Sequence, residues 1–169
     1  SLGTGFAQPY YWAINKDKDL TFTPQIYTGE NILLLNEYRQ AFKNGFLILD
    51  TSYTEGYKKN SSTKTSGSRN HTFANFDLNL AENESYQNDL SIKVQRTSND
   101  TYFRKHGINT ALVDSENTTL ENEIKFSFAK DDMYLDIATN VYQNLSEKKN
   151  SDQYEYILPN IMYGKTFFT

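Results

Sequence analysis

A period of two in hydrophobicity constrains this chain more than any other feature. Leu20, Phe22 and Ile26 fall on one side of an extended backbone, with Asp19, Thr21, Thr23 and Gln25 on the other, as a strand between unlike environments requires. The pattern recurs. Leu90, Ile92 and Val94 oppose Asp89, Ser91, Lys93 and Gln95; Ile124, Phe126 and Phe128 oppose Glu123, Lys125 and Ser127; Met133, Leu135, Ile137 and Val141 repeat it. The spacing predicts an all-β chain with strands over 8–14, 18–27, 30–41, 45–56, 69–80, 88–97, 107–114, 119–129, 132–143 and 153–163, and no helix. Residues 1–169 then form a single segment, an antiparallel meander of about ten strands.

The connections fit consecutive hairpins. Lys43-Asn44-Gly45 carries an Asn-Gly pair that tolerates positive φ, and Ala129-Lys130-Asp131-Asp132 is a short polar turn. Residues 57–68 read as a long polar loop, rich in Lys, Ser, Thr and Asn. In outer-membrane barrels short turns face the periplasm and long loops face outward, which would make 43–45 periplasmic and 57–68 extracellular. The tight turn at 130–132 then falls on the side where a long loop is expected.

Composition narrows the partners. An aromatic content of 15% is too high for a disordered tail. A net charge of −4 supplies no field for phosphate backbones, so no nucleic acid partner is expected. No apolar run approaches the roughly 20 residues of a spanning helix. The low mean hydropathy of −0.71 still suits a transmembrane barrel, whose strands show lipid only every second residue. The absence of Cys removes disulfides and thiolate chemistry together. Ser1-Leu2-Gly3-Thr4-Gly5 has neither the basic nor the apolar region of an export signal.

No catalytic pattern stands out. His71 and His106 lack spaced partners for a zinc site or a triad and read as polar strand or loop residues. Glu121 and Glu123 share a strand face as a glycosidase pair might, yet alternation alone produces such pairs. The expectation is no enzyme, no cofactor and no metal. Tyr10, Tyr11 and Trp12, with Tyr154, Tyr156 and Tyr163, suit three roles equally: a girdle at a membrane interface, a soluble core, or a carbohydrate platform. Pro9 and Pro24 lie in successive strands and each lacks a ladder donor, marking an edge, a bulge or an opening.

Gln8-Pro9-Tyr10-Tyr11-Trp12, Asp19-Leu20-Thr21-Phe22-Thr23-Pro24, Asn36-Glu37-Tyr38-Arg39, Ser98-Asn99-Asp100-Thr101-Tyr102-Phe103-Arg104, Tyr142-Gln143-Asn144-Leu145 and Tyr156-Ile157-Leu158-Pro159 occur in that order. Together they resemble the barrel domain of the lipopolysaccharide-assembly LptD family, the organic solvent tolerance proteins. The resemblance implies an early segment of a Gram-negative outer-membrane barrel that inserts lipopolysaccharide into the outer leaflet without enzymatic chemistry. It also implies lipopolysaccharide, membrane lipid and an LptE-like plug lipoprotein as partners, and it places Pro9 and Pro24 at the lateral gate. An isolated segment would have to close as a small barrel or sandwich, or self-associate through open strand edges. The rival is a soluble β-sandwich or small barrel that binds carbohydrate through exposed Tyr and Trp; a carboxylate-pair hydrolase is the third reading.

Overall fold

The strands expected from alternation form one meandering sheet. The structure, a computed structural model, describes residues 2–57, 65–81, 86–146 and 153–166. The elements are β1 (Gly5–Ala7), β2 (Tyr10–Asn15), β3 (Lys18–Tyr27), β4 (Leu33–Phe42), β5 (Gly45–Tyr57), β6 (Thr65–Asn79), β7 (Gln87–Thr97), α1 (Tyr102–His106), β8 (Thr119–Lys130), β9 (Met133–Asn144) and β10 (Tyr154–Lys165). From β3 to β10 each strand pairs antiparallel with the next, and β1 and β2 both pair with β3. The sheet does not close: β1/β2 form one edge and β10 the other. Neither the small barrel nor the two-layer sandwich expected of an isolated segment forms among the described residues, because each edge strand lacks a second neighbour.

Three expectations are corrected. Residues 107–114 are not a strand but part of an excursion, 98–118, that carries α1. The helix was missed because five residues are too few to show a 3.6 period; its punctuation was visible, with Asn99 Oδ1 accepting from the Thr101 amide and Gly107 ending the turn at φ 57°. The loop expected over 57–68 is shorter: Tyr57 and residues 65–68 are strand, and 58–64 lie outside the described residues. Gly45 also acts differently from expectation, since neither Asn44 nor Gly45 takes a positive φ. A Cβ on Gly45 would lie 2.4 Å from the Asp77 carbonyl oxygen, so the position needs Gly for close approach of β6.

Removing the false strand repairs the connection pattern. The turns 16–17, 43–44 and 131–132, and the adjoining ends of β6 and β7, lie at one end of the sheet; 28–32, 98–118 and the adjoining ends of β5 and β6 and of β9 and β10 lie at the other. The tight turn at 131–132, where Asp131 takes φ 49°, now falls on the short-turn end.

The two faces differ as alternation demands. Registers such as Leu20↔Tyr38, Tyr38↔Leu49, Leu49↔Ala74 and Ala74↔Val94 align apolar side chains across the sheet. Leu90↔Phe126 and Phe126↔Ile137 continue that face. Along β7 it runs from Leu90 to Val94 before meeting Arg96, and along β8 from Ile124 to Phe128 before Lys130. From Leu20 to Ile26 it spans about 20 Å at ~3.3 Å per residue. No second layer covers it among the described residues, and Ile26, Ile124 and Phe42 stay exposed. The tightly packed core instead lies beneath the excursion, where Leu33, Phe73, Tyr102, Phe103, Ile108, Val113, Leu120 and Leu145 are buried together.

Candidate functional site: an interrupted edge seam and a strapped polar face

β1 and β2 are one strand broken in two. Ala7↔Gln25 and Tyr10↔Phe22 belong to the same register, so Gln8 faces Pro24 across the gap. The Gln8 amide donates to the Pro24 carbonyl at 3.3 Å. Partners of this kind normally exchange two bonds, but Pro24 has no amide hydrogen to return to Gln8. Because successive amides in a strand point opposite ways, the nitrogen of Pro9 faces away from β3, toward the free edge. One proline therefore halves a bonded pair inside the seam, and the other removes a donor from the edge itself.

The aromatic candidates flank both open edges. Tyr10 and Trp12 lie opposite Phe22 and Leu20 on the apolar face, whereas Tyr11, opposite Thr21, is on the polar face. Tyr154, Tyr156 and Tyr163 lie opposite Gln143, Val141 and Leu135. A register shift between Ile157 and Asn160, around Leu158-Pro159, inserts one extra residue. Without it Tyr163 would point away from Tyr154 and Tyr156; with it all three share a face. Five of the six rings thus sit on the apolar face and one does not.

The polar face carries the excursion as a strap. Phe103 meets Phe73 edge-on at 5.2 Å, and the His71 ring stacks on Phe73 at 4.4 Å. Tyr102 Oη lies 2.6 Å from Ser52 Oγ, which in turn bonds His71 Nδ1. The two bonds form one chain that runs from Tyr102 through Ser52 to His71 Nδ1, or in reverse from a protonated Nδ1, according to the His71 tautomer. Lys105 Nζ reaches the buried Glu30 at 3.0 Å. His71 is a strand residue as expected, in β6, whereas His106 ends α1; both are buried, at 1% and 7% exposure. Sequence reading missed Ser52, Tyr102 and Glu30 because their partners lie 19 to 75 residues away. Ser52 and His71 touch as a nucleophile and base would, but Tyr102 and Phe103 seal them, and the Nε2 of His71, where a triad acid would bind, has no hydrogen-bond partner. Glu121 is taken up by Lys93, Tyr142 and Asn140, and Glu123 by Asn140.

Burial pushes the His106 imidazole below its usual range, the neighbouring Lys105 adds to the shift, and Glu30 opposes it. Its ring packs against Tyr27 and Tyr102. A depressed folded-state value means that the unfolded strap takes up the proton first, so the stabilisation is complete above the ordinary value of about 6.5 and declines as pH falls below it. Hydrogen exchange of the 103–108 amides, corrected for intrinsic rates, is expected to speed up between pH 7.5 and 5. His106→Gln should weaken that dependence; an unchanged dependence would assign it elsewhere.

No protein-family model matches the chain. Among curated proteins it is 24% identical over 120 residues to the LPS-assembly protein LptD of Legionella pneumophila strain Lens, covering 66% of this chain and 14% of that protein. The strain Paris and Philadelphia 1 proteins, with the same name, are each 23% identical over the same share. This chain is distantly similar to LptD. It spans about 14% of the length of these LptD relatives, so the likeness concerns one segment of a much longer protein. The all-β antiparallel meander stands beside that likeness as an independent observation, drawn from the strand pairing.

Proposed function

We propose that this chain is an early segment of an LptD-like outer-membrane β-barrel, in Gram-negative bacteria, that takes part without enzymatic chemistry in delivering lipopolysaccharide to the outer leaflet. The observation that carries the reading is the seam: two prolines in adjoining strands, both withdrawing hydrogen bonds at one open edge of a sheet whose outer face is apolar. In this reading Pro9 and Pro24 keep β1/β2 weakly held, so that the strand can part from its neighbours and pass a lipid sideways. The apolar face meets membrane lipid, and Tyr10, Trp12, Tyr154, Tyr156 and Tyr163 contribute to its aromatic girdles. The open β10 edge continues into further strands, and an LptE-like lipoprotein is the partner of the complete barrel.

Orientation follows from the same connections. If short turns face the periplasm, the 43–44 end is periplasmic and the Gly5 end extracellular; the inverted arrangement is the alternative. Single Cys residues at Lys16 and Asn31, labelled by an impermeant reagent on whole cells, give opposite results for the two arrangements.

The function is tested in the full-length protein in its host. A photo-crosslinking residue at Phe6, beside the break, should form adducts with lipopolysaccharide, whereas one at Leu49 in mid-sheet should not. Absence of adducts at Phe6 and at every other seam position would contradict the gate. Pro24→Ala adds the missing donor to Gln8 and should strengthen the seam by about 0.5–1.5 kcal/mol, read as slower exchange of the Gln8 amide; equal exchange would show that the proline does not loosen the strand.

A further inference from the structure

Beneath the strap, on the polar face, two carboxylates face one another across a strand pair. Glu37 and Asp50 are direct register partners on β4 and β5, an arrangement that is destabilising for like charges. The neighbouring cation is already engaged: Arg39 binds Asp19 at 2.9 and 3.2 Å and reaches Glu37 only at 3.6 Å. The carboxylates of Asp19 and Glu37 therefore share one guanidinium, and Asp50 faces Glu37 outside that pairing.

The surroundings are mainly oxygen donors, with the apolar Leu35 and Ala111 beside them. Thr21, Thr23, Glu37, Asp50, Asn109 and Thr110 line a cavity of about 170 Å³ between the sheet and the tip of the strap. Asp50 is 7% exposed, the Thr110 hydroxyl lies against it, and its Oδ2 is buried without a hydrogen-bond partner. A buried carboxylate oxygen left unsatisfied is costly, and here it opens onto a polar cavity beside a second carboxylate. We propose that this cavity binds a divalent cation of the calcium type, held by Asp50 and Glu37 with neutral oxygens from Thr21, Thr23 and Asn109, and that the ion fastens the strap to the sheet. The donor set argues for calcium over softer metals, because every available ligand is oxygen. Among the described residues no three His, Cys, Asp or Glu side chains gather on one metal position, so neutral oxygens and water complete the shell; calcium accepts such a flexible set, whereas magnesium demands near-ideal octahedral geometry.

The inference requires only the sheet and the strap and does not depend on the membrane reading. The test is titration calorimetry of the full chain, folded in micelles or in plain buffer, with calcium chloride and then magnesium chloride. One calcium site with a dissociation constant of about 0.1–1 mM is expected, with magnesium at least tenfold weaker and exchange of the 109–112 amides slowed by calcium. Asp50→Asn should weaken calcium binding at least tenfold, Thr110→Val by a few-fold, and the remote Asp136→Asn not at all. Should Asp50→Asn lose its circular dichroism, Glu37→Gln and Thr110→Val carry the comparison. Absence of a calcium response in the unaltered chain, or equal binding by the folded variants, would overturn the proposal and leave the carboxylate pair to be neutralised by a proton.

Discussion

Phe103→Ala is expected to detach the strap while leaving the sheet paired. Phe103 is 1% exposed and contacts both Phe73 and His71, so truncation removes a large buried ring and leaves a cavity, at about 3–5 kcal/mol. The helix itself adds little, since five residues have no helical stability of their own. What remains is the packing of Tyr102, Ile108 and Val113 in the same core, the chain of hydroxyls from Tyr102 through Ser52 to His71, and the Lys105–Glu30 pair. The sheet rests on different bonds, the nearly continuous ladders from β3 to β10. Exchange should therefore accelerate over 99–115 by two orders of magnitude or more, with far-UV circular dichroism almost unchanged. Loss of the strand signal together with the strap would show that the covered face organises the sheet and is not merely attached to it.

A second large effect separates the two faces. Ile124 lies between Ile92 and Thr139 on the apolar face and is 53% exposed, whereas Ser127 lies on the polar face between Asp89 and Asp136. If lipid covers the apolar face, Ile124→Arg should destabilise the protein in vesicles by about 2–4 kcal/mol, the range for an arginine near the midplane of a barrel wall. Ser127→Arg, placed between two carboxylates, should be close to neutral. If that face were simply wet, an arginine at a half-exposed position would change stability by no more than about 0.5 kcal/mol. Chemical unfolding of both variants in vesicles distinguishes a several-kilocalorie difference from none.

The parts of the fold visible in the sequence were those governed by local spacing. Lys18–Tyr27, β7 and β8 could be placed because Leu20-Phe22, Leu90-Ile92-Val94 and Ile124-Phe126-Phe128 alternate within a single strand. Residues 107–114 misled because Ile108 and Val113 are buried, and Leu112 partly so, in the long-range cluster that holds Phe73 and Leu120, not by a sheet face, and burial without a period resembles a short strand. The site divides the same way. Pro9 and Pro24 could be singled out from missing donors alone, but that they share one seam depends on the Gln8–Pro24 pairing. That Tyr163 joins Tyr154 and Tyr156 depends on the bulge at Leu158-Pro159, and no periodicity anticipates a one-residue insertion. Ser52, His71, Tyr102 and Asp50 carried no local signal, since isolated polar residues acquire meaning only when the strap brings their partners to them.

The central claim, that the apolar face of this open sheet is built for lipid, is tested most directly by Trp12. It is the single tryptophan of the chain, it stands on that face next to the interrupted seam, and it is 62% exposed. The protein is folded into phospholipid vesicles and its fluorescence recorded with lipids brominated at defined depths along the acyl chains and with aqueous iodide. Blue-shifted emission quenched by the bromolipids and shielded from iodide is the predicted result. Red-shifted emission quenched by iodide alone, from a chain whose circular dichroism shows it folded, would place that face in water and contradict the membrane account.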